Sequence, residues 1–384
     1  MRKKKIVLLH NLVYPPRTPL FNLINQNTKF DFKVLFLSLN AGNRQWKLDL
    51  NKIKFPYKIL SHMVINLKIE DCLYFIFNPT VLVDLWREKP DVIIGCGWVH
   101  PANYLALLYS RIRRKPFILF SESTVYETSW RRVLGLPLVK FMVKLADAYL
   151  TPGINAKEYL ESLGAKKDKV FIVLNAVDSR FFYSKSRLSV QQKLKIKRKF
   201  KISEGRVILY VGRLERVKGI EYLFDAYKNL ESERGDTALV ITGEGPFKKQ
   251  LKEKCKKERI KKVIFLGNIE RNQMPRIYGI ADLVVLPSWS EVWGLVINEA
   301  MSCGLPVIST ESVGSSRDLI KNGVNGYVVK ARDSQALYQA IKKVLSNSKA
   351  RKMGDNSRKI ISDFTYQKMA DGFIKVINRF CENG

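Results

Sequence analysis

This chain is short of acid relative to base and short of histidine: 35 Asp and Glu stand against 67 Lys and Arg, and there are three His in 384 residues. Three scattered histidines and five cysteines without a Cys-x-x-Cys pair offer neither a zinc-ligand spacing nor a disulfide framework. Free thiols fit a reduced compartment, so a cytoplasmic setting is expected. No run reaches 18 apolar residues, which argues against a bilayer-spanning helix. After the basic head MRKKK the apolar run is only Ile6 to Leu9, too short for a signal-peptide core. Low-complexity tracts and short repeats are absent as well. What remains, 46% hydrophobic and 27% charged residues, is ordinary globular composition. At about 150 residues per domain, the length allows two to three domains, each large enough for a full core.

The formal charge of +32 is spread along the chain and concentrated once. Residues 181–205 hold eight basic residues and one acid. Such a field favours anionic partners: phosphates, acidic lipid headgroups or nucleic acid. A lysine-rich composition without a partner is the competing reading.

Apolar runs without alternation recur along the chain: KIVLL (5–9), VLFLSL (34–39), DVIIGCG (91–97), FILFS (117–121), AYLTPG (148–153) and VFIVLNAV (170–177). Helical patterns separate them, which predicts a parallel sheet covered on both faces. The basic segment interrupts this rhythm. The rhythm then restarts with RVILYVG (206–212), TALVITG (237–243), KVIFLG (262–267), DLVVLPS (282–288) and PVISTE (306–311), with helices near 220–231, 247–257, 271–280 and 295–303. The expected architecture is therefore α/β used twice: an N-terminal domain 1–180, a basic linker 181–205 and a C-terminal domain 206–362. The last residues, 363–384, read as one amphipathic helix. Two such domains would bind a ligand in the cleft between them.

Two constellations carry chemistry. In YVGRLERVKGIEYL (210–223) a strand ends at Gly212, Arg213 leaves it, and Lys218 stands just before a helix. Two cations five residues apart beside free backbone N–H groups suit a diphosphate; two solvated basic residues are the alternative. In LPSWSEVWGLVINEAMSCGLPVIST (286–310) a loop carries Glu291, Trp293 and Gly294 before a helix bearing Glu299. Gly294 permits close backbone approach, and the amides of Gly294 and Leu295 open a helix N-terminus that favours anions. Carboxylates accept hydrogen bonds from sugar hydroxyls. Glu299 sits among Val296, Ile297, Ala300 and Met301, where an unpaired carboxylate is costly.

VGRLERVKG, the GEGP turn (243–246), YGIADLVVLPSWSEVWGLVINEAMSCGLPVIST and GSSRDLIKNGVNGYVV (314–329), in this order and spacing, resemble the family-4 nucleotide-sugar glycosyltransferases. The resemblance implies the GT-B fold, two Rossmann-like domains facing a central cleft. It implies that Arg213 and Lys218, after Gly212, hold the donor diphosphate. Glu299, second acid of the Glu-x7-Glu motif, would bind the ribose, and Glu291, the first, the transferred sugar. Gly294 and Leu295 would contact phosphate or sugar beside Trp293, and the turn from Gly267 to Ile269 would face the base. It further implies retention of anomeric configuration, no metal and no cofactor beyond the nucleotide sugar itself; the lack of an Asp-x-Asp pair fits. Arg213, Lys218, Glu291 and Glu122 are the expected catalytic set.

The first half matches more loosely. NAVD (175–178) resembles the family's Asn-Gly-Val-Asp, and the helix over 363–384 resembles the segment that crosses back to pack on the first domain. HNLVYPPRTPLFNLI (10–24) resembles a subgroup pattern and offers Arg17 for an acceptor or the donor phosphate, with a plain surface arginine as alternative. FSESTVY (120–126) offers Glu122 to hold an acceptor hydroxyl or to act as a base; a helix cap by Ser121 or Ser123 competes. His100 lies at a strand end and can line the cleft or be structural. The expected reaction moves a hexose-type sugar from a UDP-sugar, ahead of GDP, to a glycan or lipid-linked acceptor of the cell envelope. WRRVLGLPLVKFMVKLADAYL (130–150) mixes large apolar residues with bases, as a peripheral contact at the inner face of an anionic membrane would; a core helix with solvated lysines is the alternative. A nucleotide-sugar epimerase lacks its own histidine and acid pattern here, and a nucleic-acid binder lacks an aromatic-glycine signature or zinc finger.

Overall fold

A computed structural model describes residues 2–39, 49–67, 73–127, 130–203, 205–346 and 350–382. The chain divides into two compact units, Met1–Asn175 with Tyr366–Gly384, and Ala176–Thr365.

The first unit contains β1 (Lys4–Leu12), β2 (Phe30–Ser38), β3 (Tyr57–Ile59), β4 (Met63–Leu67), β5 (Leu73–Phe77), β6 (Val92–Cys96), β7 (Phe117–Phe120), β8 (Ala148–Thr151) and β9 (Val170–Ile172). Seven of them form one sheet in the order β3-β2-β1-β6-β7-β8-β9, paired in parallel throughout. β4 and β5 form a separate antiparallel hairpin. Helices α1 (Thr18–Asn25), α2 (Val81–Glu88), α3 (Pro101–Ile112), α4 (Trp130–Leu145) and α5 (Ile154–Ser162) connect the strands. Ile6 to Leu9 and Val92 to Ile94 are fully buried, so unbroken apolar runs mark strands covered on both faces.

The second unit contains α6 (Ser179–Ser186), α7 (Val190–Lys199), α8 (Ile220–Glu233), α9 (Lys248–Lys257), α10 (Met274–Tyr278), α11 (Leu295–Ser302), α12 (Ser316–Leu319), α13 (Ser334–Ser346) and α14 (Ala350–Ile361). Its strands are β10 (Arg206–Val211), β11 (Thr237–Thr242), β12 (Val263–Gly267), β13 (Leu283–Leu286), β14 (Val307–Thr310) and β15 (Gly326–Val329). They lie in the order β12-β11-β10-β13-β14-β15, again all parallel. This is the dinucleotide-fold order 3-2-1-4-5-6, whose ligand crevice opens where the order reverses, beyond the carboxyl ends of β10 and β13. The corresponding reversal in the first unit lies between β1 and β6.

The segment 181–205, read from the sequence as a linker, holds helices and belongs to the second unit. Ser189 and Gln192 form a capping box: Gln192 N donates to Ser189 Oγ (3.2 Å) and Ser189 N to Gln192 Oε1 (2.9 Å). That cap starts α7 despite its run of like charges, which stay in solvent. The strand expected over 170–177 stops at Ile172, and Asp178 instead caps α6 by accepting from Phe181 N. The helix expected near 271–280 shrinks to Met274–Tyr278, with Pro275 in its first turn.

The last helix, α15 (Tyr366–Glu382), belongs to the first unit, where it packs on α1, β6 and β9. Its Met369, Ala370, Phe373, Val376 and Ile377 form the buried stripe of an amphipathic helix. Phe373 is fully buried and meets Phe120 edge to face at 5.3 Å. Phe373→Ala should therefore cost about 3 kcal/mol, by lost transfer energy and a residual cavity. A denaturant midpoint unchanged from the parent would contradict this packing role.

Candidate active site

In the second unit, two loops leave the sheet at the reversal point. The first runs from Gly212 through a 3-10 turn at Arg216–Lys218 to Gly219, which opens α8. The second runs from Pro287 to Gly294, which opens α11. The loops are sewn together. Gly219 has φ +62°, and a Cβ there would stand 2.2 Å from Pro287 O, so only glycine lets the loops touch. Trp289 N donates to Val217 O at 3.0 Å, and its indole N–H donates to Arg216 O at 2.9 Å. Arg332 stacks on the Trp289 ring at 3.9 Å.

This stitching brings Lys218 and Glu291 together. Lys218 Nζ lies 2.6 Å from Glu291 Oε2, with side chains only 12% and 22% exposed. The Glu291 backbone is itself fixed: it bridges Val313, and its carbonyl accepts from Gly314 N at 3.0 Å. Arg213 stands on the same loop, half exposed, with its guanidinium 2.5 Å from Glu215. Tyr210, fully buried under the loop, donates its hydroxyl to Arg213 O at 2.9 Å. The tyrosine hydroxyl would also lie 2.9 Å from any Cβ on Gly212, so the turn above it must be glycine.

Gly294 has φ +86° and is hemmed in by Val313, Leu286 and Glu291. It aims the first turn of α11, whose opening N–H groups have no helical acceptors. Glu299, one turn further, is half-buried and accepts from Tyr278 Oη at 2.8 Å. Burial raises its carboxyl above the ordinary range, while the Tyr278 hydroxyl and the charge of Arg271 oppose that rise. Phe182 of α6 backs Tyr278 edge-on at 6.0 Å. Gly267 closes the end of β12, where its carbonyl accepts from Gly243 N at 2.8 Å, and Ile269 is half-buried beyond it. Trp293 departs from its expected donor-side role. It is 3% exposed, and its indole N–H is taken by the buried Asn298 Oδ1 at 2.9 Å, so the ring packs the base of the loop. Tyr210, Tyr278, Arg271 and Glu244 (paired with Lys248 at 2.5 Å) were not singled out, although Tyr210, Tyr278 and Glu244 lie inside the motifs quoted above.

In the first unit, Arg17 and Glu122 meet. Arg17 is 8% exposed and ion-paired with Glu122; its guanidinium stacks over Phe120 at 5.2 Å and points NH1 at Met369 Sδ of α15. Asn175 Nδ2 donates to the same Glu122 oxygen at 2.9 Å. His10 joins this cluster and was missed as a site residue. Its Nδ1 sits 2.8 Å from Leu12 O, which assigns the proton to Nδ1 and leaves Nε2 as an acceptor. The electrostatics of Arg17 and Glu122 both reach it. His100 does not line this cluster. It is 3% exposed, its Nδ1 accepts from Ile76 N at 3.3 Å, and it holds the β4–β5 hairpin against the start of α3. Among the described residues, no group of three His, Cys, Asp or Glu is placed to hold a metal ion.

Burial holds both His10 and His100 at about 4, below the usual 6.5. Both are neutral in the fold, whereas the unfolded chain protonates them between about pH 4 and 6.5. The unfolded state binds more protons in that window, so stability is complete above pH 6.5, falls as the pH drops to 4 and levels off below. Denaturation across that range should reveal the slope, and His100→Asn should flatten part of it.

Two family models match: one described as glycosyl transferases group 1 over residues 192–360, and one described as glycosyltransferase family 4 over residues 22–181. An uncharacterized glycosyltransferase of Methanocaldococcus jannaschii is 31% identical over 272 residues, 68% of this chain and 67% of the relative. A sulfoquinovosyl transferase of Arabidopsis thaliana is 25% identical over 72% of this chain, a stretch that spans only 54% of that relative. Among solved structures, Anabaena HepE in complex with UDP superposes with a TM-score of 0.78 at 18% identity, covering 98% of this chain and 100% of that one. The same protein has also been solved with UDP-glucose. These likenesses identify the two parallel-sheet α/β units as the GT-B fold.

Proposed function

Because this chain belongs to the glycosyltransferases of the group 1 and family 4 type, we propose that it moves a hexose-type sugar from a nucleoside diphosphate sugar, UDP-linked ahead of GDP-linked, to a hydroxyl of a glycan or lipid-linked acceptor in cell-envelope synthesis. The observation that carries the reading is the Lys218–Glu291 pair at the reversal point of the second sheet. HepE, a protein of the same fold, binds UDP and UDP-glucose, which supports a uridine donor.

The chemistry follows from charge. As the bond between the anomeric carbon and the phosphate oxygen breaks, the leaving diphosphate gains negative charge. Lys218, Arg213 and the amides of Gly294 and Leu295 stabilise that growing charge, and groups already fixed in place do so without reorganisation. Lys218 is held by Glu291 until the anion arrives. Glu291 then offers its carboxylate to hydroxyls of the transferred sugar. Tyr278 occupies Oε2 of Glu299 and leaves Oε1 to accept from a ribose hydroxyl. The new bond forms from the acceptor oxygen to the anomeric carbon on the face the phosphate leaves. The acceptor proton passes to the departing phosphate oxygen, so configuration is retained without a covalent enzyme intermediate. Arg17 and Glu122 serve the acceptor: the ion pair fixes the carboxylate, and its other oxygen accepts from an acceptor hydroxyl that does not itself react. The side-chain cations take the part a divalent metal plays elsewhere.

Lys218→Ala should lower donor hydrolysis and transfer by roughly 100-fold to 1000-fold, with hydrolysis read across a panel of UDP- and GDP-sugars with and without EDTA. Near-parental turnover by a variant that keeps its thermal midpoint would refute the site. Loss of activity with EDTA would refute the metal-free step alone.

A further inference from the structure

Helix α4 is apolar on two opposite faces. Leu136, Val139, Met142 and Val143 face the core of the first unit. The opposite side carries Val133 (69% exposed), Leu134 (71%), Leu138 (60%) and Phe141 (56%). At 3.6 residues per turn these four lie within about 140° of arc. Lys140 and Lys144 run along one edge of the stripe, both exposed. The described side chains of α4 include no acid, and the sequence places none anywhere in Trp130–Leu145. The nearest acid beyond the helix, Asp147, is already engaged by Arg111 and by Phe117 N at 2.8 Å. The adjoining helix α3, which touches α4, exposes Leu108 (51%) and Ile112 (61%) and ends in the exposed Arg113 and Arg114. Singly exposed apolar residues are common, but four large ones in one stripe, with bases beside them, are not.

From this arrangement we infer that the outer face of α4 docks on an anionic lipid bilayer. The side chains of Leu134, Leu138 and Phe141 enter the boundary between headgroups and acyl chains, and Lys140 and Lys144 pair with headgroup phosphates. No helix among the described residues is long and apolar enough to cross a membrane, so the contact is made through a helix face. Charge decides between occupants. A second copy of a chain carrying +32 would set Lys140 and Lys144 against their own kind, whereas an acidic leaflet complements them and the whole field. The inference does not rest on the sugar-transfer reading, because docking is measured without any substrate.

The test uses the full chain and vesicles of phosphatidylcholine alone or with phosphatidylglycerol, sedimented at low and high salt. The parent should bind the phosphatidylglycerol vesicles at low salt and release at high salt. Leu134→Ser with Phe141→Ser, and separately Lys140→Glu with Lys144→Glu, should each weaken partitioning at least about tenfold while leaving the thermal midpoint in place, since these side chains are exposed. Phe141→Trp should shift its fluorescence to the blue on binding, which attachment by charge alone would not produce. The exposed basic helix α7 is the rival surface. If charge reversal at Lys195 and Lys199 abolishes binding while both α4 variants bind like the parent, the assignment fails. It fails equally if no vesicle binds at low salt, or if light scattering finds a dimer that Leu134→Ser with Phe141→Ser dissolves.

Discussion

The contact between Lys218 and Glu291 is the constraint on which the second unit turns. A partly buried ammonium and a partly buried carboxylate each lose hydration, and the loss is tolerable only because they sit 2.6 Å apart. To hold them so, the loop after β10 must press on the loop after β13. That contact demands glycine at position 219, where a side chain would strike Pro287 O. It also demands that Trp289 spend its backbone and indole N–H groups on Val217 and Arg216. Tyr210 below and Val313 beside complete the support. A substantial part of the architecture around this sheet reversal thus serves to keep one cation and one anion poised at the same place.

The first unit solves the same physical problem differently. Arg17 is nearly buried, so its charge needs a partner, and Glu122 is drawn from the end of β7 to supply it. Asn175 adds a second donor to the carboxylate, Phe120 offers the guanidinium its face, and Met369 arrives from the far end of the chain on α15. The polar cluster therefore depends on a helix more than 350 residues distant in sequence. Deleting one member would strand the others, because a buried charge without its partner costs more than the pair is worth.

How much of this was legible in the sequence depended on whether the signal was local. Unbroken apolar runs located most strands of both sheets, since burial on both faces writes itself into consecutive residues. The motif around Glu291 and Glu299 was legible for the same reason: a loop, a glycine and a helix start are short-range features. Partners far apart in sequence were not legible. Nothing near Glu299 announces that Tyr278 will hold it, and nothing near Arg17 announces Glu122, although Glu299, Arg17 and Glu122 were each noticed alone. Residue type pointed Trp293 toward chemistry and left His100 open between the cleft and the core, whereas burial decides both: each is 3% exposed and spends a ring nitrogen on a neighbour. The 181–205 segment misled in the opposite sense. Its charge suggested a linker, yet a four-residue capping box was enough to start a helix that buries almost nothing.

The excess of base over acid then separates into two populations with different physics. Arg17 and Lys218 are the cations closest to burial at the two sites, and each has a carboxylate within contact. Their field is local, and salt in solution screens it little. Most lysines of α4, α7 and α9 stand in water, where a neighbouring carboxylate would add little and the field extends outward about one Debye length. The net charge of +32 is therefore a property of the surface rather than of the sites. It attracts anions of any kind but selects none of them. Selection needs geometry, and the docking inferred for α4 would add it: bases set beside a stripe of large apolar side chains suit a lipid leaflet, which offers phosphate and hydrocarbon together, better than a nucleic acid backbone, which offers phosphate alone.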